Sequence, residues 1–333
     1  MRIRLILAVL VLVAAGSAAY LYLDYQRFLT APLAVGEDGL SVEMRPGMVY
    51  PDLVNQLVER RLTQGGWRWR LLGRQSPFAG SLQAGEYLFR EPLTPLELLQ
   101  KMASGEVVLH TLTVIEGWRF NELMQAVSGH PALKQTLPAD AGPELVASEL
   151  GLESVEGRFL PETYRFPRGT SDVEFLERAR QSMDRVLARA WERRMSGLPY
   201  ERPYEALIMA SIIEKETGRA DERGRIAGVF VRRLQKRMRL QTDPTVIYGL
   251  GDAFDGDLRR RDLRTDTPYN TYTRHGLPPT PIAMPGQASV EAALNPEDGD
   301  ALYFVSRGDG SHVFSATLEE HNRAVDEYQR KRR

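Results

Sequence analysis

Ala206-Leu207-Ile208-Met209-Ala210-Ser211-Ile212-Ile213-Glu214-Lys215-Glu216-Thr217-Gly218 decides how the larger part of this chain is read. Eight residues with a single hydroxyl among them predict a helix, starting near Tyr204 and ending at Glu216, that is buried on all sides rather than along one stripe. Two carboxylates follow at once, before the Gly218 stop. At about 100° per residue, positions 207, 210, 211 and 214 share a face, and Glu216 points about 200° away from Glu214. One carboxylate can therefore stand at the rim of an apolar surface, where desolvation favours the protonated form a general acid needs. Taken alone, the pattern is equally met by two solvated glutamates ending a core helix.

Downstream lie Gln241-Thr242-Asp243-Pro244-Thr245-Val246-Ile247-Tyr248-Gly249, Thr267-Pro268-Tyr269-Asn270-Thr271-Tyr272 and Gly276-Leu277-Pro278-Pro279-Thr280-Pro281-Ile282. Tyrosine, amide and hydroxyl side chains on proline-braced loops suit sugar binding, the rings stacking on pyranose faces and the polar groups bonding ring substituents. An irregular stretch from Leu240 to Gly286 is long for a compact domain, which favours a functional loop over a plain connection. The reading predicts an amphipathic helix over 173–195, helices over 223–238 and 318–328, a short helix near 289–294, and a strand pair at 303–306 and 312–315.

Upstream, alternation predicts strands at 40–44, 85–89 and 107–114, with helices opening at Pro51, at Trp67 and, behind the capping box Thr94-Pro95-Leu96-Glu97, at Pro95. Residues 38–115 then form one small α+β unit, and 116–333 a larger mixed α+β domain. Before them, Arg2 and Arg4 precede an uncharged, mostly apolar run from Leu5 to Leu23, long enough to cross roughly 30 Å of hydrocarbon. Ser17-Ala18-Ala19 offers a signal-cleavage reading, but the apolar run continues through Tyr20-Leu21-Tyr22-Leu23, with tyrosines at interface depth. Residues 1–25 are thus expected to be a cytoplasmic stub and an uncleaved single-pass anchor. The more positive flank is N-terminal, which predicts a cytoplasmic N-terminus and an exported remainder.

The composition narrows the chemistry. With no cysteine among 333 residues, disulfides, thiolate catalysis and cysteine zinc sites are excluded. A net charge of -1 gives no basic excess for nucleic acid. The five histidines lack metal-ligand spacing, and Asp252, Asp255 and Asp257 lack the remainder of a calcium loop, so no metal or cofactor is expected.

These residues resemble the endolytic murein (peptidoglycan) transglycosylase family, the MltG or YceG-like proteins. The matching pieces run from Glu156-Gly157 and Pro161-Glu162-Thr163-Tyr164 through Ala210 to Thr217 and Met238 to Gly249. They continue with Pro268 to Tyr272, Gly276 to Ile282, Leu302 to Val305, His312 to Ser315 and His321-Asn322. Met284 departs from the pattern, since the family more often has Asn there. The resemblance implies that Glu214 is the catalytic acid/base and that the small N-terminal unit is similar to a LysM glycan-binding domain. It also implies that Glu216, Gln241, Thr242, Asp243, Tyr248, Tyr269, Asn270, Thr271 and Tyr272 position the sugar. The expected reaction is non-hydrolytic cleavage between N-acetylmuramic acid and N-acetylglucosamine, leaving 1,6-anhydro ends. The expected setting is the outer face of the inner (plasma) membrane, in the periplasm, on nascent peptidoglycan glycan strands beside polymerising synthases. A muramidase using Glu214 with Asp243 or Glu216, and a non-catalytic glycan scaffold, are the alternative readings.

Overall fold

A computed structural model describes residues 2–36 and 39–330; the expected domain edges at residues 1, 38 and 333 lie outside them. The chain is mixed α+β. It divides into a smaller unit, comprising residues up to His110 with Arg165–Gly169, and a larger unit of Thr111–Tyr164 with Thr170 onward.

In the smaller unit, helix α1 (Arg2–Thr30) is followed by β1 (Leu40–Met44), α2 (Tyr50–Glu59), α3 (Trp67–Gln75), β2 (Gly85–Phe89), α4 (Pro95–Ser104) and the start of β3 (Leu109–Thr113). β1 and β2 are antiparallel, with Val42 opposite Tyr87, and their alternate side chains face a core of Leu53, Leu57, Trp69, Leu98, Leu99 and Met102. Thr94 caps α4 as its sequence predicts, accepting from the Glu97 N–H while Glu97 bonds the Thr94 N–H at 2.7 Å. α1 outlasts the expected anchor. Its last turns put Tyr25 and Phe28 into the core of the unit, so the apolar helix and the folded unit are one continuous element.

In the larger unit, α5 (Phe120–Ser128) and α6 (Pro143–Glu149) precede the start of β4 (Thr163–Pro167), whose residues from Arg165 belong to the smaller unit; β4 pairs with β3. Then come α7 (Asp172–Glu192), α8 (Pro203–Glu216), α9 (Arg223–Gln235), α10 (Asp243–Leu250), α11 (Arg260–Arg264), α12 (Gln287–Leu294), the hairpin β5 (Tyr303–Ser306) and β6 (His312–Ser315), and α13 (Leu318–Val325). α8 is the buried helix its composition predicts: Ala206 to Ile213 are all buried, enclosed by α7, α9, α10 and α12. At about 25 cal/mol per Å² of apolar surface, such a helix contributes heavily to the core and cannot be tilted without opening cavities. The expected irregular stretch from 240 to 286 is broken by α10 and α11. Pro244 sits in the first turn of α10, where its missing N–H costs nothing, so Tyr248 is on a helix and not a loop.

Candidate active site

Glu214 is delivered to the surface by α8 and is only half-buried, while the eight residues before it are inaccessible. Its Oε2 accepts from the Gly286 N–H at 2.9 Å and from the Ser289 hydroxyl at 2.7 Å. Gly286 is the N-cap of α12, so the carboxyl stands at the positive end of that helix. The apolar rim expected for Glu214 is thus, on one oxygen, a polar cradle. Oε1 makes no hydrogen bond among the described residues. Because both donors occupy Oε2, a protonated Glu214 carries its proton on Oε1, the oxygen left facing outward.

The chain approaching Gly286 is stitched down. Ile282 N–H donates to Ser211 Oγ at 3.0 Å, and Ser211 in turn donates to the Ile208 carbonyl. Met284 is fully buried; its N–H donates to the Trp118 carbonyl at 2.7 Å and its carbonyl accepts from Gly117 N–H at 2.9 Å. At position 284 the backbone thus does the bonding and the side chain packs. Lys215 Nζ reaches the Gly117 carbonyl at 3.1 Å. The Glu116 carboxylate consequently rests against Gly286, where an added Cβ would overlap it. The intervening bonds and contacts place the Glu116 and Glu214 carboxylates within about 8 Å of one another.

Residues 119 and 120 lead from there to a second group. Glu156 is buried, accepting from the Phe120 N–H at 3.1 Å and the Tyr248 hydroxyl at 3.1 Å. Burial pushes its carboxyl up to about 7 despite those donors. The Tyr248 and Tyr269 rings lie 4.8 Å apart, the Arg119 guanidinium covers Tyr248, and Tyr269 bonds Thr280. Arg119, Glu156, Tyr248, Tyr269 and Thr280 line a groove of about 350 Å³.

Glu216 faces a third group. Its Oε2 accepts from the Thr242 hydroxyl at 2.8 Å, and Tyr272 donates to Asp243 at 2.6 Å. Burial, reinforced by the nearby Asp243 charge, pushes Glu216 up to about 7. Glu216, Asp243 and Tyr272 line a groove of about 550 Å³ with Gln241, Arg233, Tyr303 and His312. Gln241 holds a left-handed backbone, φ 53°, so its side chain is aimed by a strained turn.

The predicted sugar-positioning residues therefore divide. Gln241, Asp243, Tyr272 and Glu216 share one groove, and Tyr248 and Tyr269 another. Asn270, Thr271 and Thr242 reach neither groove surface, being 0, 3 and 2% exposed. Asn270 Nδ2 donates to the carbonyls of Asp262, Leu263 and Thr265, and Thr271 Oγ1 meets Thr245 and the Thr242 N–H. They shape the loop that carries Tyr269 and Tyr272. Glu116, Arg119 and Ser289 received no role from sequence. A signal was present for the first: Glu116-Gly117 and Glu156-Gly157 are both Glu-Gly pairs whose glycines take φ of 79° and 73°. Among the described residues no cluster of His, Asp or Glu could hold a metal ion.

An apolar N-terminal helix, a mixed α+β body, and a glutamate carried to a polar cradle by an otherwise buried helix define one class of protein. The model of the YceG-like family matches residues 42–327, and the chain belongs to that family. It is 34% identical over 268 residues to the endolytic murein transglycosylase of Bacillus subtilis (strain 168), covering 75% of this chain and 74% of the relative. It is 27% identical to the endolytic murein transglycosylase of Streptococcus pneumoniae, over 97% of this chain but 64% of that longer relative. A 2.6 Å crystal structure of a YceG-like protein from Listeria monocytogenes superposes with a TM-score of 0.55 at 32% identity, covering 87% of this chain and all of that one.

Proposed function

We propose that this protein is an endolytic lytic transglycosylase acting on peptidoglycan glycan strands, with Glu214 as its acid and base. The observation that carries the reading is the asymmetric cradle of Glu214, with Oε2 saturated by Gly286 and Ser289 and Oε1 open. The Oε1 proton passes to the glycosidic oxygen as the C1–O bond to N-acetylglucosamine breaks and oxocarbenium character grows at C1. The ionised carboxylate, held by its two donors, then accepts the proton of the muramic C6 hydroxyl as that oxygen bonds C1, closing the 1,6-anhydro ring. An intramolecular nucleophile has a large effective concentration and needs no second carboxylate to activate water.

Gln241, Asp243 and Tyr272 in one groove, and Tyr248 and Tyr269 in the other, are the side chains proposed to touch sugar; Thr242, Asn270 and Thr271 act by holding them. Glu216, raised and bonded to Thr242, is proposed to set the position of the Gln241–Asp243 turn. Among the described residues one helix, α1, is long and apolar enough to span a membrane. We read it as a single-pass inner-membrane anchor with a cytoplasmic N-terminus, holding the catalytic unit in the periplasm where strands emerge from synthases. Cutting inside nascent strands there sets their length. The smaller unit, in which α2 and α3 join the paired strands β1 and β2 and α4 packs on the same core, is proposed to be the LysM-like glycan-binding module. Its apolar groove of about 570 Å³, lined by Tyr50, Pro51, Val54 and Trp69, supports that role.

The Glu116 carboxylate gives one specific reason for a second reading. A second carboxylate within about 8 Å of Glu214 is close enough to take the place of the partner that hydrolytic glycosidases use to activate water or attack the sugar. Mass spectrometry of fragments released from uncrosslinked glycan decides between the two. Anhydro ends that vanish in Glu214→Gln are expected; reducing ends that vanish in Glu116→Gln would make the protein a muramidase. Glycan binding without release from either would leave a scaffold.

A further inference from the structure

α3 is the most basic helix of the smaller unit, and its position relative to a membrane follows from its contacts with α1. The 29 residues of α1 extend about 43 Å, whereas a span needs about 20 residues. The uncharged stretch ends at Leu23, so Asp24, Tyr25 and Phe28 stand just beyond the hydrocarbon. Arg68, early in α3, pairs with Asp24 at 2.9 Å. Gln75, at the other end of α3, accepts from the Tyr25 hydroxyl at 2.8 Å. Both ends of α3 thus meet the same turn of α1, and α3 lies across α1, along the plane of the membrane.

Its rotation is determined by two ring contacts. Trp67 lies 5.9 Å from Tyr25, whereas Trp69 lies 5.2 Å from Phe28, one turn further out. The Trp69 face therefore points away from the bilayer. On a helix, Arg70 and Arg74 fall within about 60° of Trp67 and at least about 100° from Trp69. Both are exposed, neither has an ion-pair partner among the described residues, and both also form one wall of the groove between α2 and α3 that Tyr50 and Trp69 line.

We propose that the Trp67–Arg70–Arg74 face of α3 is a docking surface for the anionic phospholipid headgroups of the membrane that α1 spans. The inference rests on reading α1 as a membrane span. Arginines four residues apart stand side by side on a helix surface, and each presents a planar fork matched to a phosphate. Tryptophan at that depth favours the headgroup layer. With α1 built into the core of the unit and α3 lying on the lipid, the smaller unit has two attachments to the bilayer. A single helix would leave it free to swivel; two fix its orientation, and with it the height of the groove between α2 and α3.

The absence of cysteine allows a clean test. The full chain is reconstituted into nanodiscs of phosphatidylcholine, pure or with a third replaced by phosphatidylglycerol. A single nitroxide is placed at Arg74→Cys, at Leu109→Cys on exposed β3, or at Val11→Cys within α1. Collisions with lipid-soluble oxygen and a water-soluble nickel chelate report depth. In anionic discs the Arg74 label is expected at headgroup depth while the Leu109 label stays aqueous. High salt, which shortens the Debye length from about 10 Å to about 3 Å, is expected to return the Arg74 label to water. Adding Arg70→Glu, a change of two charges at roughly five-fold each, is expected to reduce the docked population about 25-fold. An Arg74 label as aqueous as Leu109 in anionic discs, or equally shielded in pure phosphatidylcholine, overturns the proposal. An aqueous Val11 label would instead show that α1 does not span, and the docking would fall with that reading.

Discussion

At the residue scale, the site turns on which oxygen of Glu214 is free. Glu214→Gln keeps the shape and an acceptor but cannot donate a proton from Oε1. Release of anhydro products is expected to fall by at least about 10³-fold, read by mass spectrometry of muropeptides. Ser289→Ala removes one of two charge-assisted bonds, about 2 kcal/mol, and is expected to slow turnover about 30-fold with little change in KM. Two other carboxyls govern stability against pH. Glu156 and Glu216 are both raised to about 7 from an ordinary 4.5. A raised folded-state value means the folded protein holds protons that the unfolded chain has released. The stabilisation is complete below about pH 4.5 and is lost as pH rises through about 7, at most about 3 kcal/mol for each group. The thermal midpoint of the larger unit, followed by calorimetry, is expected to fall between about pH 5 and pH 8. Glu156→Gln should flatten that slope; an unchanged slope would mean the carboxyl is already ionised when folded.

At the element scale, the cradle depends on how the 281–286 segment lies over α8. Gly157 has φ of 73° and its α-carbon faces Pro281, so Gly157→Ala meets both backbone strain and a clash. A loss of about 2 kcal/mol or more is expected, with activity falling further because Gly286 is drawn away from Glu214. Gly151→Ala is the control: φ is 64° but nothing lies within 4 Å, so strain alone should lower stability and leave the site intact. α1 makes a parallel case. Phe28 is 8% exposed and packs edge-on against Trp69, so Phe28→Ala is expected to cost the smaller unit about 3–5 kcal/mol. Thermal unfolding followed by tryptophan fluorescence, with the full chain in detergent, checks this.

At the scale of the whole molecule, an apolar helix whose last turns are also a core element limits how a soluble form can be cut. A fragment beginning at Asp24 keeps Tyr25 and Phe28 and is expected to melt like the full chain. One beginning at Ala31 loses both rings, and its smaller unit is expected to unfold well before the larger, seen as a separate transition in calorimetry. What could be read without coordinates was local in origin. A run of apolar residues is sufficient for α1 and α8, a capping box for α4, and alternation for β1, because each pattern is written within one continuous segment of chain. The position of Glu214 at the exit of a buried helix was legible for the same reason. The use of polar residues was not. Asn270, Thr271 and Thr242 have the chemistry to bond a sugar or their own loop, and only the packing around 262–272 assigns them to the loop. Glu116 and Ser289 stand 98 and 75 residues from Glu214 in the chain, and no periodicity links them. Chain closure across those distances brought Gly286 and Ser289 onto one carboxylate oxygen and left the other open, and that was decided by tertiary structure alone.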